Sequence, residues 1–152
     1  MQVLTLLVAA VMMVVLDQCT KALVRRGQVP AQSVRSCLLV LRYRVNRRAF
    51  SGLLSNGPLL LLSLVSVFTG LVAALLLVQP LDGTLAAAAL GIAAGGASSN
   101  VMDQVQHQGV VDFIDLGWWP VFNLADVAIV VGATSALVCF MVEITTTRLG
   151  AT

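Results

Sequence analysis

Long apolar stretches, separated by short polar segments, make up most of this chain. Each stretch is close to the roughly 20 residues that an α-helix needs to cross a bilayer. Pro58 suits the first turn of one stretch, and Pro80 and Gly83 mark a turn between two others. The pattern predicts an all-α membrane protein, a bundle of four transmembrane helices at about residues 1–24, 58–78, 83–102 and 121–142, in one membrane domain covering 1–152.

Composition supports the same class of protein. Apolar residues make up 59% of the chain and charged residues only 11%, and the mean hydropathy is +0.96. Soluble domains usually carry about a quarter of charged residues. The chain is therefore predicted to be an integral membrane protein surrounded by membrane lipids, and no nucleic-acid partner is expected.

The basic residues are concentrated in one part of the chain. Eight of the nine Lys and Arg residues fall between positions 21 and 48, so the predicted interfacial segment 25–57 is strongly basic. Within it, Leu41 to Val45 alternates apolar and basic side chains, which is the period of a strand and predicts a small amphipathic, β-like annex. Such a segment fits a collar that binds anionic headgroups, or a sheet that cradles a substrate. The positive-inside rule by itself would place it on the cytoplasmic side.

Polar side chains gather at the ends of the predicted spans. Residues three or four apart on a helix lie on the same face. If the spans alternate in direction, the ends of the first and third spans and the start of the fourth lie on one side of the membrane. The polar sets at these three places are Asp17, Thr20 and Lys21; Asn100, Asp103 and Gln104; and Asn123 and Asp126.

Two aspartates in the C-terminal part of the chain are candidates for chemistry. Asp112 lies in a predicted loop, 103–120, and Asp126 lies at the start of the fourth span. A carboxylate at membrane depth costs about several kcal/mol, so it usually marks chemistry, transport or a packed polar pair. The two residues alone leave these three interpretations open.

Five short motifs resemble those of lipoprotein signal peptidase, also called signal peptidase II. Each motif is weak alone, but all five occur in the family's order, over nearly the whole chain. The motifs are Asp17-Gln18-x-Thr20-Lys21, Asn46 followed by Ala49-Phe50-Ser51, Gly95-Gly96-x-x-x-Asn100-x-x-Asp103, Val111-Asp112-Phe113, and Phe122-Asn123-x-Ala125-Asp126.

The resemblance implies an aspartic endopeptidase of the membrane that cleaves prolipoproteins just before a cysteine bearing diacylglyceryl. Asp112 and Asp126 match the family's catalytic dyad. Two carboxyls held close together share a proton, so one can act as a general base on water while the other donates to the scissile carbonyl. No metal or other cofactor is expected. The implied location is the bacterial cytoplasmic membrane, with the site at the extracytoplasmic face, and the chain is expected to be a monomer.

Several further residues match support positions of the family. At one further support position, Gln104 departs from the family pattern, because the family usually has arginine there. The implied roles are to hold the dyad and the substrate backbone, for Asn100 and Asn123, and to shape the pocket, for Asp17, Lys21 and Asn46.

A second interpretation is a catalytically altered relative, which binds lipidated or hydrophobic peptides without cleaving them. The change at Gln104 and the stretch from Asn46 to Phe50, which is one residue shorter than in the family, favour this alternative, whereas the retained pair of aspartates favours the peptidase. Three other polar residues are expected to have no part in the site: Asp103 and Asp115 as solvated or helix-end acids, and His107 as a surface residue.

Overall fold

A computed structural model describes residues 1–27, 40–46, 83–107 and 109–149 of the protein. Its elements, in chain order, are α1 (Gln2–Arg25), β1 (Val40–Asn46), α2 (Thr84–His107), β2 (Val110–Asp115) and α3 (Leu124–Leu149). The predicted span 58–78 and most of the predicted turn at 79–83 lie outside the described residues.

Three helices of the described part are long and apolar enough to cross a membrane: Gln2–Arg25, Thr84–His107 and Leu124–Glu143. At about 1.5 Å per residue, a helix of 24 residues is roughly 36 Å long, which exceeds the apolar core of a bilayer. The membrane class predicted from the sequence is therefore confirmed.

Glycines bring α2 close to both of its neighbours. A Cβ added at Gly95 would lie 2.5 Å from the Ala10 carbonyl oxygen of α1, and one at Gly96 would lie 2.6 Å from the Ala125 oxygen of α3. Gly91, one turn before Gly95, also faces α1, against Leu6. Small residues allow such close backbone approach between membrane helices. Helix α2 is thus the central helix of the described bundle.

Strands β1 and β2 form a two-stranded antiparallel sheet at one end of the helices. Asn46 is paired with Val110 and Arg44 with Asp112, and the register shifts between Leu41 and Arg44. After β2 the chain turns back, so that the Phe122 oxygen accepts the N–H groups of Phe113 and Ile114 at 3.0 and 2.8 Å. This pairing fixes β2 against the residues that begin α3.

The boundaries of the elements differ from the predicted ones in the last third of the chain. Helix α2 continues to His107, and β2 occupies the middle of the predicted loop 103–120. The helix continues because the polar side chain of Asp103 is fully buried and finds partners inside the protein, so it does not have to reach water at a helix end. Helix α3 begins at Leu124 because Asn123 caps its first turn. It extends to Leu149, beyond the predicted end at 142.

Candidate active site

The two predicted catalytic residues lie on different elements and are both nearly buried. Asp112 is in β2 and Asp126 is in the first turn of α3, with exposed fractions of 5% and 6%. A buried carboxyl group needs hydrogen bonds or a charge partner, because burial removes the water that would solvate it. The partners around both residues define the site.

Asn123 and Asp126 cap the start of α3 reciprocally. The backbone N–H of Asp126 donates to Asn123 Oδ1 at 2.9 Å, and the backbone N–H of Asn123 donates to Asp126 Oδ2 at 3.1 Å. This is the geometry of a capping box, which satisfies two helix donors at once. The Asp126 carboxyl is therefore held by the same local structure that starts the helix.

The side-chain amide of Asn123 connects this helix start to the other aspartate. Its Nδ2 donates to Asp112 Oδ1 at 3.0 Å and to Asn100 Oδ1 at 3.1 Å. Asn100 in turn donates from Nδ2 to Asp126 Oδ1 at 2.8 Å. Asp126 is thus bonded to both asparagines and Asp112 to Asn123, and these are the two residues predicted to hold the dyad.

Lys21 supplies a fully buried cation beside these asparagines. Its Nζ lies 2.6 Å from Asp17 Oδ2 and 2.9 Å from Asp103 Oδ2, and it donates to Asn100 Oδ1 at 3.0 Å. All three charged side chains of this cluster have no exposed surface. The ion pair of Asp17 with Lys21, four residues apart on α1, is one part of a larger buried network.

The expectation for Asp103 was wrong. Its carboxylate is fully buried, and besides Lys21 it accepts from Gln18 Nε2 at 2.9 Å and from the backbone N–H of Val111 at 3.1 Å. The buried cation Lys21 on α1 allows the Asp103 carboxylate to leave water. Spacing along the sequence does not show that α1 brings Lys21 to this point.

Two participants, Gln18 and Ser99, were given no role in the sequence analysis: Gln18 was quoted only as part of a motif, and Ser99 was not named. Ser99 Oγ donates to Asp17 Oδ2 at 2.6 Å, and Gln18 Nε2 donates to Ser99 Oγ at 2.9 Å. Their positions in the sequence could have indicated a role: Ser99 and Asp103 are one helical turn apart, and Gln18 adjoins Asp17 in an apolar span.

The remaining predicted residues lie at or beyond the edge of this network. His107 is only 30% exposed and contacts the Arg25 guanidinium, so it is not an isolated surface residue. Gln104 is half-buried, and its Oε1 has no hydrogen-bond partner among the described residues. Asp115 accepts the N–H of Gly117 at 2.8 Å in the turn that follows β2. Asn46 is placed by its backbone alone, opposite Val110.

The described residues contain no group of three or more His, Cys, Asp or Glu side chains that could hold a metal ion. What they bring together is a pair of carboxyl groups, two bridging carboxamides and a buried ammonium group. This set of groups is suited to general acid–base chemistry on a bound peptide.

Comparison with known sequences identifies one family. The sequence profile described as Signal peptidase (SPase) II matches residues 9–142 of the chain. The matched range contains both aspartates and every residue of the network around them.

Two relatives named lipoprotein signal peptidase are similar over most of their length. The protein from Syntrophomonas wolfei subsp. wolfei is 39% identical over 136 residues, covering 87% of this chain and 89% of the relative. The protein from Pelotomaculum thermopropionicum is 37% identical over 133 residues, covering 86% of each.

A solved structure has a similar fold. It is described as a bacterial membrane enzyme structure obtained by the in meso method at 1.9 Å resolution, and it is 25% identical to this chain. The match has a TM-score of 0.65 and covers 90% of this chain and 92% of the solved one. Together with the profile and the relatives, this similarity shows that the chain belongs to the signal peptidase (SPase) II family, the aspartic membrane proteases that remove signal peptides from prolipoproteins.

Proposed function

We propose that Asp112 and Asp126 form the catalytic dyad with which this chain cleaves diacylglyceryl-modified prolipoproteins just before the lipidated cysteine. The observation that carries this proposal is the shared hydrogen bonding of Asn123, whose side-chain amide donates to Asp112 while its carbonyl oxygen accepts the backbone N–H of Asp126. A single side chain thereby fixes the relative position of the two carboxyl groups.

The dyad performs hydrolysis with one proton shared between its two members. The ionised carboxyl takes a proton from a water molecule, whose oxygen forms a bond to the scissile carbonyl carbon. The protonated carboxyl donates to the carbonyl oxygen and stabilises the tetrahedral intermediate. When the intermediate collapses, the C–N bond breaks and a proton passes to the leaving amine. Asn100 and Asn123 keep both carboxyls in place throughout, so little reorganisation is needed in the transition state.

The surroundings of the dyad suit a lipidated substrate. The segment between β2 and α3 carries Trp118 and Trp119, which are 75% and 46% exposed and pack edge to face. Exposed tryptophans are typical of the membrane–water interface. A dyad at this depth is reached by water from one side, while the acyl chains of the substrate remain in the bilayer. The chain is proposed to act as a monomer surrounded by membrane lipids.

The proposed location is the bacterial cytoplasmic membrane, with the dyad at the extracytoplasmic face. The ends of α1 and α2 and the start of α3 meet at the dyad, so the start of α1 and the end of α3 lie at the other side. A reporter that works only in the cytoplasm is therefore expected to be active when it is fused after residue 152. Activity of a fused reporter that works only outside the cytoplasm would indicate the reverse orientation. That orientation is the one that the positive-inside rule gives for the basic segment 21–48.

The dyad is tested by cleavage of a diacylglyceryl-modified prolipoprotein by the detergent-purified protein. Asp112→Asn and Asp126→Asn are each expected to abolish cleavage, because an amide can neither take the proton of water nor share one. Asp115→Asn is the matched control on the same strand and is expected to retain activity. Cleavage that survives either dyad substitution would remove the proposed mechanism.

The same assay distinguishes the peptidase from the second candidate function, that of a relative that binds the substrate without cleaving it. The observation in its favour is Gln104, a neutral residue where the family usually has arginine, close in sequence to the buried Asp103. Binding of the lipidated substrate by the wild-type protein without any product would support that function. Cleavage that depends on Asp112 and Asp126 would exclude it.

A further inference from the structure

Asp17 and Asp103, the two buried acids that contact Lys21, make equivalent contacts to the two chain segments that carry Asp126 and Asp112. Asp17 Oδ1 accepts the backbone N–H of Ala125 at 2.9 Å, and Asp103 Oδ2 accepts the backbone N–H of Val111 at 3.1 Å. In each case the donor is the residue immediately before a dyad aspartate. One salt-bridged cluster therefore holds the main chain at both places from which the dyad side chains project.

Two neutral side chains complete this cluster. Ser99 Oγ donates to Asp17 Oδ2 at 2.6 Å, and Gln18 Nε2 donates to Asp103 Oδ1 at 2.9 Å. Gln18 Nε2 also donates to Ser99 Oγ at 2.9 Å, which connects the partner of Asp103 to the partner of Asp17. Each acid thus shares three kinds of partner: the Lys21 ammonium group, one neutral side chain, and one backbone N–H. Asp103 Oδ1 also lies 4.0 Å from His107 Nδ1.

We propose that Gln18 and Ser99 are positioning residues that set the distance between Asp112 and Asp126; this inference rests on the proposed function of that dyad. A carboxylate with three partners has one orientation, so the N–H group that it holds has one position. Loss of the neutral partner leaves the carboxylate able to rotate about Lys21, and the adjoining main chain moves with it. A displacement of about 1 Å in a catalytic group is enough to lower a rate by about a hundredfold.

The alternative is that Gln18 and Ser99 only stabilise the packing of α1 against α2. The two roles differ in what they change. A packing role alters the amount of folded protein, whereas a positioning role alters the turnover of each folded molecule.

The test uses Ser99→Ala and Gln18→Met, which remove the donors with little change of shape. Ser98→Ala and Gln106→Met are matched controls, because both residues are exposed and lie on α2. The concentration of folded enzyme is measured for each variant by gel filtration in detergent, and kcat and KM are measured with a diacylglyceryl-modified prolipoprotein.

Both test variants are expected to lower kcat per folded molecule by about tenfold or more while KM changes by less than about threefold. Both controls are expected to match the wild type. Hydrogen–deuterium exchange gives a readout that does not depend on activity. Ser99→Ala is expected to increase exchange mainly in 121–126, and Gln18→Met mainly in 109–115, since each variant loosens one acid and the N–H group that it holds.

Wild-type kcat per folded molecule in both variants would overturn the inference, even if their melting temperatures were lower. A loss that falls on KM alone would also overturn it. Asp112→Asn is assayed in parallel to distinguish a failure of the proposed function from a failure of this inference. Cleavage by Asp112→Asn would overturn the proposed function and the inference together, whereas its inactivity beside fully active Ser99→Ala and Gln18→Met would overturn the inference alone.

Discussion

Replacement of Lys21 by methionine should destabilise the protein more than the removal of any surface charge. Methionine fills nearly the same volume, so the change isolates the charge. The wild-type ammonium group lies within 3.0 Å of three oxygen atoms, those of Asp17, Asp103 and Asn100, and no part of the side chain is exposed. Its loss leaves two carboxylates buried without a cation. Removal of one partner of a buried ion pair typically costs about 3–5 kcal/mol, and that is the expected loss in free energy of unfolding.

The assay is reversible unfolding in mixed micelles, with increasing mole fraction of a denaturing detergent. Arg26→Met is the control, because Arg26 is exposed at the end of α1, and it should change the free energy of unfolding by less than about 0.5 kcal/mol.

A second variant tests the physical reason for the loss. Lys21→Met combined with Asp17→Asn and Asp103→Asn removes all three charges, so no uncompensated carboxylate remains. Replacement of a whole buried ion cluster by neutral groups is often close to neutral in stability, and the triple variant should recover most of the loss. If Lys21→Met alone stays within about 1 kcal/mol of the wild type, the buried cluster is not charged as described. If the triple variant is no more stable than the single one, the loss does not come from buried charge.

Three other predictions follow from the site. Asn123→Ala should lower kcat by about a hundredfold and the free energy of unfolding by about 1–2 kcal/mol, measured by cleavage and unfolding assays, because it removes both the helix cap and the bridge to Asp112; wild-type kcat would contradict this. Gly96→Leu should destabilise by about 1–3 kcal/mol or more, measured by the same unfolding assay with the exposed Ile92→Leu as control, because a side chain there meets the Ala125 oxygen at 2.6 Å; unchanged stability would refute the close approach. A chelator should leave cleavage unchanged, since the proposed hydrolysis uses only carboxyl groups and water; loss of activity that added metal restores would contradict it.

Local patterns in the sequence were sufficient for several parts of the site. The membrane class and the helices beginning near residues 1 and 83 follow from long apolar runs. The shared face of Asn123 and Asp126 follows from their spacing of three residues, but their reciprocal cap was not predicted, because the predicted span began at 121 and placed both residues inside the helix. The ion pair of Asp17 with Lys21 likewise follows from their spacing of four. In each case both partners lie within one helical turn, so backbone geometry alone brings them together.

Contacts between elements were decided only by the tertiary structure. The burial of Asp103 and the participation of Ser99 and Gln18 depend on how closely α1 approaches α2, which their small residues permit but do not specify in register. The bond from Asn123 to Asp112 depends on the pairing of β2 with the residues before α3. Sequence by itself determined the kind of protein and the candidate dyad, because those follow from apolar runs and ordered motifs. The buried charge network beside the proposed dyad joins residues more than 80 positions apart, and only packing in three dimensions could place their atoms within hydrogen-bonding distance.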